Sequence, residues 1–227
     1  STHSDAQVYR DVVSQLFPDQ LSEQIQVATV GLGQALTLVT GGPGTGKTTT
    51  AAKLLTLLVS CQSNLRLALA APTGKAASRL SEAMGQAAMA LTGQLTSVRP
   101  KLEQAANHAR TIHRLLGWNP TTNRCRFHTR NPLPYDVVVV DEASMLDLIL
   151  WDRLLRSLGR HTKLIVLGDH HQLESVQPGR VMAEMISAAN GGALNGCHVE
   201  LVRNYRLATD NPINDLAAAV RQYDGEA

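Results

Sequence analysis

One octapeptide, from Gly41 to Thr48, limits what this chain can fold into more than any other stretch. It reads Gly-Gly-Pro-Gly-Thr-Gly-Lys-Thr and fits the P-loop pattern Gly-x-x-x-x-Gly-Lys-Thr. The apolar residues 35–39 before it predict a buried strand, and residues 49–59 after it predict a helix with leucines on one side. Together they predict a phosphate cradle, because inward-turned N–H groups and a helix N-terminus attract an anion.

The octapeptide therefore predicts nucleotide binding, with separate roles for its residues. We expect the backbone of the loop to bind phosphates, the Lys47 ammonium to reach the β- and γ-phosphates, and the Thr48 hydroxyl to ligate Mg²⁺. The predicted ATP-binding residues of this stretch are Gly42, Pro43, Gly44, Thr45, Gly46, Lys47, Thr48 and Thr49.

The other apolar runs predict that the P-loop belongs to an α/β domain. Buried strands are expected at residues 35–39, 65–70, 137–140, 164–167 and 199–201. Helical patterns separate these runs, which implies a mostly parallel sheet with helices on both faces and with ligands at the carboxyl ends of the strands. Residues 92–110 lack a clear pattern and are predicted to be irregular or weakly helical. The Pro and Asn residues at about 118–134 predict an inserted loop or hairpin.

Two of the predicted strands end in side chains that suit phosphate chemistry. Asp141 and Glu142 follow four valines, and a buried strand that ends in carboxylates is typical of a Walker B motif. We expect Asp141 to lie near Mg²⁺ opposite Thr48, and Glu142 to act as a general base on a water molecule. Gln172 follows the strand at 164–167 and is expected to contact the γ-phosphate. These residues predict that the nucleotide is hydrolysed.

The residues after the last predicted strand leave their roles open. Arg206 suits an arginine finger that acts in cis on the γ-phosphate. Tyr205 suits either stacking on a base or packing in the core.

Basic residues are concentrated between Lys75 and Arg130, although the net charge of the 227-residue chain is only +2. This window holds nine lysines and arginines against two glutamates. It suggests a face for a polyanion, with a merely solvated surface as the alternative. Two predicted helices begin near this window and suit contacts to a nucleic acid backbone, although helix caps and a core histidine remain the alternative. The candidate DNA contacts are Pro72, Thr73, Lys75, Thr111 and His113, with Trp118 either stacking a base or packing.

Cysteine usage and hydropathy exclude several other classes. The three cysteines form no Cys-x-x-Cys, so a zinc site is not expected, and such a sparse, odd set fits a reduced cytoplasm. No apolar run approaches ~20 residues, so no transmembrane helix is expected.

Five motifs, in this order, resemble those of superfamily-one DNA helicases. The P-loop resembles motif I. Residues 71–77 resemble motif Ia, residues 140–144 motif II, residues 168–173 motif III and residues 204–206 motif IV. The stretches Ala-Pro-Thr-Gly-Lys-Ala-Ala, Thr-Ile-His-Arg-Leu-Leu-Gly and Val-Val-Asp-Glu-Ala-Ser-Met are similar to the RecD-like helicases in particular.

This resemblance implies a RecA-like ATP-binding helicase domain at residues 34–227, with residues 1–33 as an N-terminal helical segment leading into it. It implies an ATP- and Mg²⁺-dependent motor that moves 5′ to 3′ on single-stranded DNA. Proteins of this kind serve as the alpha subunit of exodeoxyribonuclease V (RecBCD) beside RecB-like and RecC-like subunits, in double-strand break repair by recombination. A stand-alone RecD-like helicase and a nucleotide-gated assembly module of a DNA-repair complex are the alternatives.

The resemblance also implies roles for single residues near the nucleotide. Gln24 is expected to read adenine, although spacing alone does not favour it over Gln20 or Gln26. Tyr205 is expected to stack near the adenine, and Arg206 to contact the γ-phosphate. Helicases of this kind have a second RecA-like domain, which we expect to be absent from this chain. The fragment alone is then expected to bind ATP–Mg²⁺ weakly and to hydrolyse it slowly, without unwinding.

Overall fold

A six-stranded parallel sheet forms the centre of the computed structural model, which describes residues 11–17, 22–169 and 180–203. In spatial order the sheet is β3-β2-β6-β7-β1-β8, and a separate antiparallel hairpin pairs β4 with β5. The strands are β1 (Leu36–Gly41), β2 (Leu67–Ala71), β3 (Arg110–Thr111), β4 (Trp118–Asn119), β5 (Arg124–Cys125), β6 (Val137–Val140), β7 (Lys163–Gly168) and β8 (His198–Leu201).

Helices cover the sheet and connect its strands. They are α1 (Ser22–Gly33), α2 (Lys47–Cys61), α3 (Gly74–Met89), α4 (Arg99–Asn107), α5 (Ile112–Leu115), α6 (Leu148–Ser157) and α7 (Arg180–Ala189). Short 3₁₀ helices occupy Gly93–Val98 and Ala143–Met145, and residues 11–16 are helical as well. Within the described ranges, no helix has both the length and the apolar character needed to cross a membrane.

The four inner strands, β1, β2, β6 and β7, are buried on both faces, which explains why they are mostly apolar runs rather than alternating patterns. Val39 and Val139 face the core that contains α1 to α4, whereas Leu38 and Val138 face the core that contains α5 to α7. The prediction of a mostly parallel sheet with helices on both faces is therefore confirmed.

One stretch is more regular than predicted. Residues 92–110 contain a 3₁₀ helix, α4 and β3, and not irregular chain. Leu95, Val98 and Leu102 are buried against α3 and its neighbours. The helical period is difficult to see in the sequence because Pro100 and several polar residues interrupt it, so packing rather than local pattern fixes this segment.

Candidate nucleotide-binding site

The P-loop connects β1 to α2, and its two fixed glycines have separate physical reasons. Gly41 has a φ of 154°, and a Cβ there would meet the Leu201 backbone oxygen at 2.5 Å. Gly46 has a φ of 81° directly before the first residue of α2, where an L-residue with a side chain would be strained. The loop can therefore turn tightly and present its amides at the helix N-terminus.

Hydrogen bonds within the loop hold it closed. The Lys47 ammonium donates to the backbone oxygens of Gly41 at 2.6 Å and of Gly42 at 3.1 Å. The buried Thr45 hydroxyl donates to the same Gly42 oxygen at 2.9 Å. Gly42 and Thr45 thus stabilise the loop through a hydrogen bond and do not line the cleft. Lys47 and the other predicted ATP-binding residues of the loop face this open cleft.

The Asp141 carboxylate, the predicted Walker B residue, lies opposite the Thr48 hydroxyl of the P-loop. The Thr48 hydroxyl is 3.5 Å from Asp141 Oδ2, and the Glu142 amide donates to Asp141 Oδ1 at 2.8 Å. Burial raises the pKa of the Asp141 carboxyl above its ordinary value, although the Glu142 amide and the Lys47 charge oppose this shift. A desolvated carboxylate beside a hydroxyl gains from a cation nearby.

This pair of oxygens fits Mg²⁺, which takes oxygen ligands and usually keeps several waters or phosphate oxygens as its other ligands. No group of three or more His, Cys, Asp or Glu residues suited to a metal occurs in the part of the chain that the structure describes. Thr48 and Asp141 together suit a cation that takes its other ligands from phosphate and water.

Glu142 follows Asp141 in an unusual backbone conformation. Its φ of 51° and ψ of 39° lie in the left-handed region, directly before the 3₁₀ helix Ala143–Met145. Residues other than glycine rarely adopt this backbone conformation, and those that do often lie at functional sites. The turn keeps the half-buried Glu142 in the lining of the cleft, beside Asp141 and Lys47.

The cleft has a volume of about 800 Å³ and extends from the P-loop and the Walker B residues to the side of α3. Asp169, which is buried at the end of β7, and the α3 residues Arg79, Glu82 and Gln86 also line it. Sequence reasoning missed these four. Helical spacing gives a signal for the last three, because they repeat at three and four residues on the side of α3 away from its buried residues.

Gln24 lies apart from this cleft. It is a buried residue of α1, and its Oε1 accepts a hydrogen bond from Lys53 Nζ on α2 at 2.9 Å. Gln26, one of the alternatives, is exposed, and Gln20 lies outside the described residues. Gln172, Tyr205 and Arg206 also lie outside the described residues.

Sequence comparison gives the family. The model of the family described as "AAA domain" matches residues 24–178. The chain belongs to the AAA domain family. Among curated relatives, RecBCD enzyme subunit RecD of Mycolicibacterium smegmatis is 42% identical over 221 residues, which cover 95% of this chain and 38% of that protein. The ATP-dependent RecD2 DNA helicase of Deinococcus radiodurans is 35% identical over 205 residues, which cover 90% of this chain and 24% of that protein.

These relatives make the chain a RecD-like AAA domain, and the chain spans well under half of their length. A third relative, RecBCD enzyme subunit RecD of Haemophilus influenzae, is 41% identical over 164 residues, which cover 72% of this chain and 26% of that protein. Among solved structures, Bacteroides sp Pif1 in complex with ADP-AlF4 aligns with a TM-score of 0.48 and 21% identity, covering 86% of this chain and 44% of that one.

The residues predicted to contact DNA lie at one edge of the RecD-like AAA domain. Ala71 at the end of β2 pairs with Thr111, the last residue of β3, so Thr73 and Thr111 lie at the ends of neighbouring strands. Both threonines cap helices. Thr73 Oγ1 accepts from the Ala76 amide at 3.2 Å, and Thr111 Oγ1 accepts from the Arg114 amide at 3.3 Å.

The other predicted DNA contacts differ in their exposure. Pro72 and Lys75 lie beside Thr73, and Lys75 is exposed. The His113 ring is half-buried and contacts the edge of Trp118, with 5.0 Å between ring centroids and an angle of 63°. His113 is therefore part of an aromatic pair in which Trp118 packs within the domain, and stacking of Trp118 on a base stays a prediction.

Proposed function

We propose that this RecD-like AAA domain is the ATP-hydrolysing motor domain of a DNA helicase within a RecBCD-type exodeoxyribonuclease V. One observation carries the proposal. A cleft that joins Lys47, Thr48, Asp141 and Glu142 lies at the same sheet edge as the helix N-termini at Thr73 and Thr111. The named relatives, RecD subunits of the RecBCD enzyme and an ATP-dependent RecD2 DNA helicase, support the same function.

The chain's own residues account for nucleotide binding. In the proposed reaction the P-loop amides bind the phosphates of ATP, and Lys47 exchanges its bonds to Gly41 and Gly42 for phosphate oxygens. A cation in a concave, partly desolvated site offsets phosphate charge more strongly than a solvated one does. Thr48 and Asp141 would hold Mg²⁺, which when bound offsets negative charge on the phosphate oxygens.

Glu142 is the proposed general base. Its carboxylate would take a proton from the water that attacks the γ-phosphorus in line with the leaving oxygen. The left-handed turn at Glu142 and the hydrogen bond from its amide to Asp141 fix the base relative to the Walker B carboxylate. Such fixed geometry matters because most of the catalysis in phosphoryl transfer comes from positioning and electrostatics. Gln172 and Arg206 are proposed to contact the γ-phosphate as well.

The proposed DNA partner is a single strand that lies across the ends of β2 and β3. Helix N-termini at Thr73 and Thr111 would bind backbone phosphates, and the exposed Lys75 adds a positive charge. Binding of this kind depends on salt and tolerates any sequence. Movement from 5′ to 3′, assembly with RecB-like and RecC-like subunits and a role in double-strand break repair extend the proposal by resemblance.

The test uses the full-length parent protein, assembled with its partner subunits. We expect oligo(dT) to stimulate ATP hydrolysis and Lys47→Ala to abolish both hydrolysis and strand separation. Unchanged ATP turnover in Lys47→Ala would refute the proposed site. If Lys47→Ala prevents assembly while Glu142→Gln leaves assembly and strand separation unchanged, the domain is instead a nucleotide-gated assembly module.

The present chain alone is proposed to bind ATP–Mg²⁺ weakly and to hydrolyse it slowly, because its relatives are more than twice as long. Robust unwinding by the 227-residue chain would contradict this part of the proposal.

A further inference from the structure

The β4–β5 hairpin is an ordered element whose tip is held by side chains. Strand pairing is short, with Trp118 opposite Cys125 and Asn119 opposite Arg124. At the tip, Asn119 Oδ1 accepts hydrogen bonds from the amides of Thr121 at 2.9 Å and of Thr122 at 3.2 Å. Two paired residues on each strand do not stabilise a hairpin alone, so other contacts must fix its position.

Asn123, the last residue of the turn, supplies such a contact. Its Oδ1 accepts from the indole Nε1 of Trp118 at 3.2 Å and from the guanidinium Nη2 of Arg153 at 2.9 Å. Arg153 belongs to α6, the helix that follows the Walker B segment. One carboxamide oxygen therefore joins both strands of the hairpin to a helix of the domain. The bond from the cationic donor is the stronger kind, because its charge assists it.

The backbone at Asn123 explains why this residue type occurs there. Its φ is 50°, in the left-handed region. Asparagine adopts this region more readily than other residues with side chains, and glycine adopts it more readily still. Glycine would supply the turn but not the oxygen, so asparagine satisfies both requirements.

The hairpin and its neighbour α5 form a surface suited to a polyanion. Between residues 110 and 135 the sequence holds five arginines, two histidines and no aspartate or glutamate. Arg114, Arg124, Arg126 and Arg130 are exposed. Arg114 follows His113 in the sequence, and Arg124 pairs with Asn119, the residue after Trp118. The position of the His113–Trp118 pair depends on the hydrogen bond that holds the Trp118 indole. Cationic side chains around an aromatic ring are typical of single-strand binding surfaces.

We propose that Asn123 is a positioning residue for single-stranded nucleic acid. It holds the hairpin on α6 and fixes the Trp118 ring, so that the aromatic pair and the arginines form one preset surface. A surface that is already ordered loses less conformational entropy when it binds. This inference rests on the proposed function, because it assigns a role in DNA binding to residues that the nucleotide cleft does not contain.

The test compares two variants of the full-length parent protein. Asn123→Gly keeps the left-handed turn and removes the acceptor, whereas Asn123→Asp keeps an acceptor oxygen for Trp118 and Arg153. We expect Asn123→Gly to weaken binding to oligo(dT) roughly fivefold, the scale of one lost hydrogen bond. Trp118 fluorescence, obtained as the difference from a matched Trp118→Phe variant, should shift to longer wavelength in Asn123→Gly and keep its position in Asn123→Asp.

A second route tests the same bond from α6. Arg153→Ala should reproduce the fluorescence change, and combining it with Asn123→Gly should add little further loss of affinity because the two side chains act through one bond. This route also serves if Asn123→Gly does not fold, which nucleotide affinity would reveal because Asn123 does not line the cleft.

The outcomes separate this inference from the proposed function. If the wild-type protein binds oligo(dT) and Asn123→Gly binds equally well with unchanged Trp118 emission, the positioning role is refuted and the helicase proposal stands. If Asn123→Gly and Asn123→Asp shift the Trp118 emission equally, the acceptor oxygen is not what matters and the inference fails. If the wild-type protein does not bind oligo(dT), the proposed DNA track fails together with the inference.

Discussion

The nucleotide cleft and the arginine-rich hairpin are built in opposite ways. The cleft lies at the ends of strands buried on both faces, and Asp141, the carboxylate opposite its P-loop, is itself buried. The hairpin is largely exposed, and it is held by hydrogen bonds such as those to Asn123 and by packing of Cys125 and Phe127 against the core. The whole core therefore supports the geometry of the cleft, whereas a small number of contacts support that of the hairpin.

The two regions should also respond differently to solution conditions. Charges in the cleft interact in partly desolvated surroundings, where salt screens them little. Charges on the hairpin are exposed, so salt should weaken their contacts to a polyanion. The following experiments use this contrast, and each changes one region while the other is monitored.

The largest effect is expected from Glu142→Gln. Loss of the general base should lower ATP turnover roughly 10²- to 10⁴-fold. Nucleotide affinity should remain within about threefold of the wild-type value. The glutamine side chain is nearly isosteric with glutamate, and Glu142 lies outside the P-loop. Steady-state hydrolysis and fluorescent-nucleotide titration of the parent protein measure the two quantities. Unchanged turnover would remove Glu142 from the mechanism, and unchanged oligo(dT) affinity is the control that the hairpin surface is intact.

The next effect is expected at the hairpin. Replacing Arg124 and Arg130 together by Ala should weaken oligo(dT) binding roughly tenfold at 0.1 M salt. It should also reduce the slope of log K against log salt by about 1.4, since each lost phosphate contact on a single strand contributes about 0.7. Fluorescence anisotropy over a salt series measures both quantities.

A matched control removes the same charge elsewhere. Arg156 and Arg160 are also exposed but lie outside the basic window, so replacing both by Ala should leave the salt slope almost unchanged. Equal slopes for the two double variants would mean that net charge, and not the hairpin surface, governs binding.

A smaller effect is expected from Arg79, which lines the cleft from α3. Arg79→Ala should weaken ATP binding about fivefold, because the cleft loses a cation close to the phosphates. Arg79→Lys should retain most of the affinity. This pair sharpens the comparison, since Arg79 lies within the basic window by sequence and in the cleft by structure. Weaker oligo(dT) binding with normal ATP affinity would assign Arg79 to the DNA surface instead.

The smallest effect concerns an exposed ion pair at the other end of the sheet. Arg66 donates to both Asp136 carboxylate oxygens, through Nε at 3.0 Å and Nη2 at 2.9 Å. The hydrogen bond from Arg66 lowers the pKa of Asp136 below its ordinary value. The folded pKa is depressed, so the pair stabilises the fold above the unfolded pKa of about 3.9 and loses this effect as pH falls through the lower folded value.

Asp136→Asn should therefore lower the Tm by less than about 3 °C at pH 7, and by still less near pH 3. The matched control is Asp152→Asn, which breaks an ion pair that Arg156 on α6 makes through one hydrogen bond. This variant should change the Tm even less. Neither variant should alter ATP or oligo(dT) affinity. A larger loss for Asp136→Asn at pH 3 than at pH 7 would contradict the sign of the shift.

The sequence predicts those parts of the molecule that depend on local patterns. Four consecutive valines before Asp141 indicate a strand buried on both faces, and the fixed spacing from Gly41 to Thr48 indicates the loop. Parallel strands place their carboxyl ends at one edge, so the proximity of Thr48 and Asp141 follows without a structure.

Other parts depend on tertiary packing and were not predictable. Arg79 acquires its position only when α3 packs beside α2, and α4 is helical because Leu102 and its neighbours are buried there. The tie between Asn123 and Arg153 joins residues thirty positions apart through exposed side chains, for which a single sequence holds no periodic signal. For Gln24, resemblance predicts contact with adenine. In the structure its side chain instead accepts a hydrogen bond from Lys53, away from the cleft.

The left-handed turn at Glu142 has a consequence for selection. A residue with a side chain in this conformation costs of order 1 kcal/mol or more, and glycine largely avoids that cost. A screen that selects only for resistance to heat would therefore favour Glu142→Gly, and the selected variants would lack the carboxylate that we propose as the general base. Evolution toward thermostability and evolution toward faster ATP turnover thus compete at this one position.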